Sequence, residues 1–252
     1  MNKDEYKKVC KAFDTYYEEY KNNNKDIILK YNHSYNVANY MEELAERLNL
    51  DDDDKYLAKT IGLLHDIGRF EQLREHNSYD DNLFDHANFA CEYLFDKGHI
   101  RDFIEDNTND IIIKEAIYNH NKLNIRAGLN DKELLYAKMI RDTDKIDILF
   151  QVATKFKLTF IDKPNSSIIE DILDGKSIDN KYVKNKSDSV LSTLAFVNDI
   201  NFKESFDILK ESDNLGLYIS MVEISKENEN IFNDIVNYCN KMIDDNISYK
   251  NV

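Results

Sequence analysis

The sequence predicts an all-α fold, and two observations support this. Apolar residues return every three or four positions over long charged segments, which is the spacing of one helix face, and no segment shows convincing β-strand alternation. Turn-forming residues are also scarce: average usage gives about 18 Gly and about 13 Pro for a chain of this length, whereas these 252 residues include 6 and 1. Turn-rich all-β folds and Gly-rich nucleotide-binding folds are therefore disfavoured.

Each predicted helix rests on its own apolar stripe. In order, the helices are about Asp4–Tyr20, one carrying Val37, Met41, Leu44 and Leu48, one carrying Leu57, Ile61 and Leu64, and segments near Leu83–Lys97, Asp110–Asn119, Asp131–Thr154, Ser189–Asn198 and Asn228–Asp245. The loop residues Asn22, Asn23 and Asn24 end the first helix. The run from Asp51 to Asp54 opens the third as an N-cap with an acidic first turn, because a calcium loop would need a glycine and a distal glutamate.

Charge and composition exclude several partners. The chain has 33 Lys plus Arg against 48 Asp plus Glu, a net charge of −15, and a nucleic-acid polymer needs a clustered basic face. The longest uncharged stretch, Ser189–Asn198, is half of a membrane span, and the first residues lack a signal-peptide core. Cys10, Cys91 and Cys239 form no CxxC pair, which favours reduced core thiols. We therefore expect a cytoplasmic protein without a membrane or nucleic-acid partner.

Six polar residues stand on these apolar stripes, where a helix normally carries aliphatic side chains. They are His33, His65, Asp66, His86, His120 and Asp144. Each histidine taken singly fits a hydrogen-bonded core residue, and Asp144 fits an ion pair with Lys145 or Arg141. Taken together they favour a metal site, because a buried carboxylate costs several kcal/mol unless it is paired or bound to a metal. Helices that fold back together would donate such ligands inward, as in helical bundles.

The order of these residues resembles the HD superfamily of metal-dependent phosphohydrolases. The signature of that family is a His, a His-Asp doublet and a distant Asp, here His33, the doublet His65-Asp66 and Asp144. The resemblance covers about residues 32–150 and implies an all-α HD-domain helical bundle. We expect a single domain over 1–252, with the HD core at about 30–150 and C-terminal helices at about 165–252 as a lid or buttress.

His86 and His120 extend the resemblance to the dinuclear HD proteins. The resemblance to dinuclear HD proteins implies that one ion is bound by His33, His65, Asp66 and Asp144. A second ion would be bound by His86 and His120, with Asp66 bridging the two ions. Two divalent ions are favoured over one. The donor set suits iron, manganese, zinc, nickel or cobalt, and does not choose among them.

Two differences from known branches of the HD superfamily limit the substrates that we expect. Guanosine-tetraphosphate hydrolases carry a Glu-Asp pair where this chain has Arg69 and Phe70, and the cyclic-di-GMP branch has a Gly-Tyr-Pro element, whereas Pro164 follows Asp162-Lys163. We expect a phosphohydrolase or phosphodiesterase that cleaves a small anionic substrate, a nucleotide or phosphorylated metabolite, by metal-activated hydroxide. The predicted catalytic residues are Asp66, Arg69 and Lys145, and the predicted phosphate contacts are Arg69, Lys145, Lys122 and Arg126.

Two other functions remain open at this point. Some dinuclear HD proteins with this ligand order are di-iron oxygenases. A non-catalytic HD protein that binds a metal or a nucleotide would carry the same ligands. The sequence does not indicate the oligomeric state.

Overall fold

The computed structural model of the protein describes residues 1–21 and 24–247. Most of the described residues are helical, which confirms the predicted fold class. The α-helices are α1 (Lys3–Tyr20), α2 (Lys25–Arg47), α3 (Asp52–Leu64), α4 (Ile67–His76), α5 (His86–Cys91), α6 (Asp110–Asn119), α7 (Asp131–Lys155), α8 (Ser166–Leu173), α9 (Lys186–Leu194), α10 (Lys203–Ser212), α11 (Asn214–Ser220) and α12 (Glu229–Asn246). Shorter helical turns cover Glu92–Asp96, His99–Asp102, Asn180–Tyr182 and Ala195–Asp199.

Helices α1, α6, α7 and α12 begin and end within one residue of their predicted bounds. The side chain of Asp51 accepts a hydrogen bond from the Asp54 backbone N–H at 2.9 Å, so the acidic run is an N-cap as predicted. Asn24 caps α2, while Asn22 and Asn23, also predicted to lie between the first two helices, are outside the described residues.

The expectation that the chain has no strand is wrong in one place. Leu158–Phe160 (β1) and Val222–Ile224 (β2) form a parallel pair with Leu158 opposite Val222. Each strand is three residues long, which is too short for a period of two to stand out in the sequence.

The chain divides into two compact units, residues 1–144 and the residues from Lys145 onwards, with the boundary inside α7. In the second unit α12 packs against α8, α9 and α10, and β1 packs against α9. That the whole chain is one domain, with the helices after residue 165 as a lid, stays a prediction. None of the helices in the described parts of the chain combines the length and apolar character that crossing a bilayer needs.

The first unit is built on the close pairing of α2 and α3. A Cβ on Gly62 would lie 2.7 Å from the Ala38 Cα, so a glycine is needed where the two helices approach. Helix α1 packs its aromatic residues around the fully buried Phe70 of α4. Its Tyr16 hydroxyl also donates to the Ile67 carbonyl at 3.2 Å. These contacts fix the start of α4, where the His65-Asp66 doublet lies.

Candidate metal centre

The six predicted ligands come together in the first unit, although four helices and the junction between two others supply them. They are His33 in α2, His65 and Asp66 between α3 and α4, His86 at the first position of α5, His120 just after α6, and Asp144 in α7. All six are buried. Their ligand atoms form three overlapping groups in which every atom lies within 4.8 Å of the others.

Asp66 keeps its carboxylate free for this centre. It is the N-cap residue of α4, a position where an aspartate normally accepts a backbone N–H, but its side chain makes no capping bond. Its two oxygens instead face two different groups of ligands. We call these groups the first half-site (His33, His65, Asp144 and Asp66 Oδ2) and the second half-site (His86, His120 and Asp66 Oδ1).

In the first half-site, the Nε2 atom of each histidine lies close to both carboxylates. His33 Nε2 lies 3.0 Å from Asp144 Oδ1 and 3.5 Å from Asp66 Oδ2. His65 Nε2 lies 3.5 Å from Asp144 Oδ1 and 3.7 Å from Asp66 Oδ2. Two ligands bound at about 2.1 Å to one ion are separated by about 3.0 to 3.4 Å, for angles from 90° to tetrahedral. The four observed separations between histidine nitrogens and carboxylate oxygens run from 3.0 to 3.7 Å, at or slightly above that range, which suits one ion.

The second half-site has three ligand atoms at similar spacing. Asp66 Oδ1 lies 3.1 Å from His86 Nε2 and 3.4 Å from His120 Nε2. The two Nε2 atoms are 2.9 Å apart. Both half-sites therefore share Asp66, each through its own oxygen.

Hydrogen bonds at the far nitrogen set the tautomer of three of these histidines. Nδ1 of His65 donates to the Gly62 carbonyl at 2.7 Å, Nδ1 of His120 donates to the Ile117 carbonyl at 2.6 Å, and Nδ1 of His86 donates to Asp81 Oδ1 at 2.7 Å. Carbonyl and carboxylate oxygens only accept, so each Nδ1 carries a hydrogen, which leaves Nε2 as the nitrogen that can bind a metal ion through its lone pair. Metal-bound histidines are held in this way.

These tautomers test whether the residues fit a metal ion. When both rings are neutral, the lone pairs of His86 and His120 face each other at 2.9 Å, an arrangement that a cation between them would stabilise. Burial lowers the pKa of His120 to about 4, so this ring is neutral near pH 7. His65 Nε2 is buried without a hydrogen-bond partner. A divalent metal ion satisfies all three atoms, and the nitrogen and carboxylate donors suit the borderline divalent metals.

Both aspartates are ionised, as metal ligands must be. Burial alone would raise the pKa of Asp66, but Lys30 and the histidines outweigh it and hold the pKa well below its usual range. Burial likewise opposes ionisation of Asp144, but the neighbouring His33 and His65 outweigh it and lower the pKa of this carboxyl.

Lys30 is a residue of the centre that the sequence reasoning missed. Its Nζ lies 2.7 Å from Asp66 Oδ2, and its side chain is only 12% exposed. Lys30 precedes His33 by one helical turn, which places both on the same face of α2. That spacing is the one signal that could have identified it.

Asp81 is the second residue missed. It lies in the turn between α4 and α5 and contacts both His86 Nδ1 and Arg69 Nη1, the latter at 2.8 Å. Burial would raise the pKa of Asp81, but the hydrogen bond and charge of His86, together with Arg69, lower it to about 2. No local pattern in the sequence distinguishes Asp81 from the other polar residues of this turn.

The structure places Arg69 beside the second half-site. Its Nη1 donates to Gln72 Oε1 at 2.6 Å, to the Tyr79 carbonyl at 3.1 Å and to Asp81. Its Nε is buried without a hydrogen-bond partner and lies 3.7 Å from Asp66 Oδ1. The guanidinium of Arg69 is therefore held through Nη1, and its Nε faces the carboxylate of Asp66, which both half-sites share.

The other three predicted phosphate contacts each have an acidic partner. Lys122 Nζ lies 2.5 Å from Asp85 Oδ2, and Arg126 pairs with Glu115. Lys145 belongs to the second unit, where its Nζ lies 2.8 Å from Asp199 Oδ2 and its side chain is buried. Roles for these residues in substrate binding stay predictions.

Helix α4 approaches the second half-site so closely that only a glycine fits at one position. A Cβ on Gly68 would lie 2.1 Å from the His86 carbonyl oxygen. This contact brings the start of α5, with His86, against the helix that follows Asp66.

The family of residues 31–149 follows from this centre and from one comparison. No curated protein and no solved structure matches the chain significantly. A family model described as HD domain matches residues 31–149, a range that contains all six ligands. HD domains are typically metal-dependent hydrolases and bind divalent metal ions. Residues 31–149 of this chain are therefore an HD domain, of the superfamily of metal-dependent phosphohydrolases that the order of its histidines and aspartates resembles.

Proposed function

We propose that this protein is a dinuclear HD phosphohydrolase that cleaves a phosphoester in a small anionic molecule, a nucleotide or a phosphorylated metabolite. One observation carries the proposal. Asp66 turns Oδ2 toward His33 and His65 and turns Oδ1 toward His86 and His120. A carboxylate divided in this way is suited to bridging two ions, and a single ion would leave the facing lone pairs of His86 and His120 unexplained.

The residues that would hold the ions are those of the two half-sites. When bound, divalent ions there supply a nucleophilic water of lowered pKa and polarise the phosphoryl oxygens. The chain itself supplies the geometry. The hydrogen bonds at Nδ1 of His65, His86 and His120 keep each Nε2 directed inward, and burial excludes bulk water from the ligands.

Charge at the centre fits an anionic substrate in spite of the acidic chain. Bound divalent ions would make the local charge positive, although Asp66 and Asp144 alone would make it negative. Arg69, whose Nε faces Asp66, is the best-placed of the predicted phosphate contacts. We propose Lys122, Arg126 and Lys145 as weaker contacts that would have to leave their acidic partners.

The test is turnover under controlled metal and oxygen. Protein is purified anaerobically, its metal content is measured, and it is assayed on p-nitrophenyl phosphate, bis-p-nitrophenyl phosphate and a panel of nucleotides. We expect phosphate ester cleavage at the same rate with and without oxygen, and loss of this activity after chelation.

Two outcomes would contradict the proposal and support one of the two alternative functions. Oxygen uptake on polyols or phosphonates, without phosphoester cleavage, would show a di-iron oxygenase. Stoichiometric metal with no turnover on any of these substrates would show a non-catalytic binder.

A further inference from the structure

Asp81 joins three parts of the second half-site at one carboxylate. Its Oδ1 accepts from Nδ1 of His86 at 2.7 Å and from Nη1 of Arg69 at 2.8 Å. Its Oδ2 accepts from the side-chain amide of Asn121 at 3.3 Å, the residue after the ligand His120. The turn that carries Asp81 thus connects α4, α5 and the end of α6.

We propose that Asp81 is the positioning residue of the second half-site. It fixes the ring of His86 for metal binding and holds Arg69 with Nε toward Asp66. The inference rests on the proposed dinuclear function and extends it to a residue outside the ligand set.

The charge of Asp81 distinguishes His86 from its neighbours. Nδ1 of His65 and of His120 donates to a neutral backbone carbonyl, whereas Nδ1 of His86 donates to a carboxylate. A carboxylate partner raises the basicity of the opposite nitrogen and fixes the plane of the ring, and losing such a partner typically weakens metal binding about 10- to 100-fold. The effect should therefore fall on the second half-site alone.

The same carboxylate determines which edge of Arg69 is available. Nη1 is occupied by Asp81, Gln72 and the Tyr79 carbonyl, so the side chain cannot turn that nitrogen toward the centre without breaking these bonds. Nη2 also donates to Asp81, at 3.5 Å to Oδ2, so Nε is the nitrogen left for an anion near Asp66. Asp81 thus positions the metal ligand and the candidate phosphate contact together.

The test counts Mn²⁺ ions bound by the full-length chelated protein, from the free Mn²⁺ signal in electron paramagnetic resonance. We expect two ions for the parent. Asp81→Asn should bind one ion as the parent does and the other about 10- to 100-fold more weakly. Asp80→Asn is the matched control, because the neighbouring Asp80 is exposed and its side chain accepts hydrogen bonds from Asn82; it should match the parent.

Three outcomes are decisive. Two unchanged affinities in Asp81→Asn would overturn the inference and leave the dinuclear proposal intact. Equal weakening of both ions would also overturn it, since Asp81 would then only support the fold. A parent that binds a single ion would contradict the proposed function itself, and the inference with it.

A measurement on the unaltered protein keeps the inference testable if Asp81→Asn does not fold. Nitrogen-15 spectra of the Zn²⁺-loaded protein, with the His86 signals assigned by comparison with His86→Gln, report which ring nitrogen carries hydrogen. The inference requires hydrogen on Nδ1 of His86. Hydrogen on Nε2 would overturn it.

Discussion

Replacing Lys30 by methionine removes the cation that compensates Asp66 in the metal-free protein. The side chains of Lys30 and Asp66 are only 12% and 3% exposed, and breaking a buried ion pair from one side costs roughly 3–5 kcal/mol. The histidines around Asp66 compensate part of the charge, so we take the lower end, about 3 kcal/mol. For a chain of this size that corresponds to a fall in melting temperature of about 6–12 °C.

The loss should be much smaller when metal is bound. A divalent ion in the first half-site places positive charge against the same Oδ2 atom that Lys30 contacts, so the loss should shrink to about 1 kcal/mol. The difference of about 2 kcal/mol must then appear as tighter metal binding, by roughly 30-fold. Lys30→Met is therefore expected to destabilise the chelated protein and to strengthen its affinity for metal.

The assay compares melting temperatures in chelator and in excess Mn²⁺, together with the Mn²⁺ affinity. Lys59→Met is the matched control: the Lys59 side chain is 13% exposed, and its Nζ lies 2.5 Å from Oε2 of Glu42, which is not a candidate metal ligand. Its effect should be the same with and without metal, with no change in affinity. If Lys30→Met lost equal stability in both conditions, or bound Mn²⁺ more weakly, the reasoning about Asp66 would be refuted.

Three further results are expected. Asp66→Ala should abolish both metal retention and activity, because it removes the oxygen that each half-site uses; full metal content by elemental analysis would refute the bridging role. Gly68→Ala should cost roughly 1–3 kcal/mol in urea unfolding and reduce metal by half, since its Cβ would meet the His86 carbonyl at 2.1 Å; unchanged stability would contradict the close contact. In the chelated protein, burial lowers the pKa of His120 to about 4, so the unfolded chain takes up a proton on this ring between about pH 6.5 and 4 while the folded one does not. The contribution of this ring to the free energy of unfolding should therefore be fully present above about pH 6.5 and fall by roughly 3 kcal/mol toward pH 4. The His120→Gln variant should lose most of this pH dependence.

The ligand set was predictable because it breaks a local pattern. His33, His86 and His120 continue apolar stripes where periodicity favours an aliphatic residue, and the structure brings them together with His65 and both aspartates. The assignment of pairs to separate ions came from the family resemblance and not from periodicity.

Helix α4 was missed because its buried face is partly polar. Glu71 and Gln72 are buried there, the first bonded to Tyr20 at 2.8 Å and the second to the Phe84 carbonyl at 2.8 Å. A sequence window counts such residues as solvent-facing, because their partners lie elsewhere in the chain.

The surroundings of the ligands could not be predicted for the same reason. Lys30 looks like a solvated surface residue until α2 is packed beside Asp66, 36 positions along the chain. Asp81 lies in a polar turn that the sequence presents as exposed. Both acquire their roles only through tertiary contacts.

The number of ions bound at Asp66 tests the central claim most directly. Crystals of the metal-loaded protein, with anomalous diffraction measured at the absorption edge of the bound metal, give the number, identity and positions of the ions together. We predict two anomalous peaks about 3.5–4 Å apart, one among His33, His65 and Asp144 and the other between His86 and His120, with Asp66 between them. A single peak at full metal loading would contradict the account.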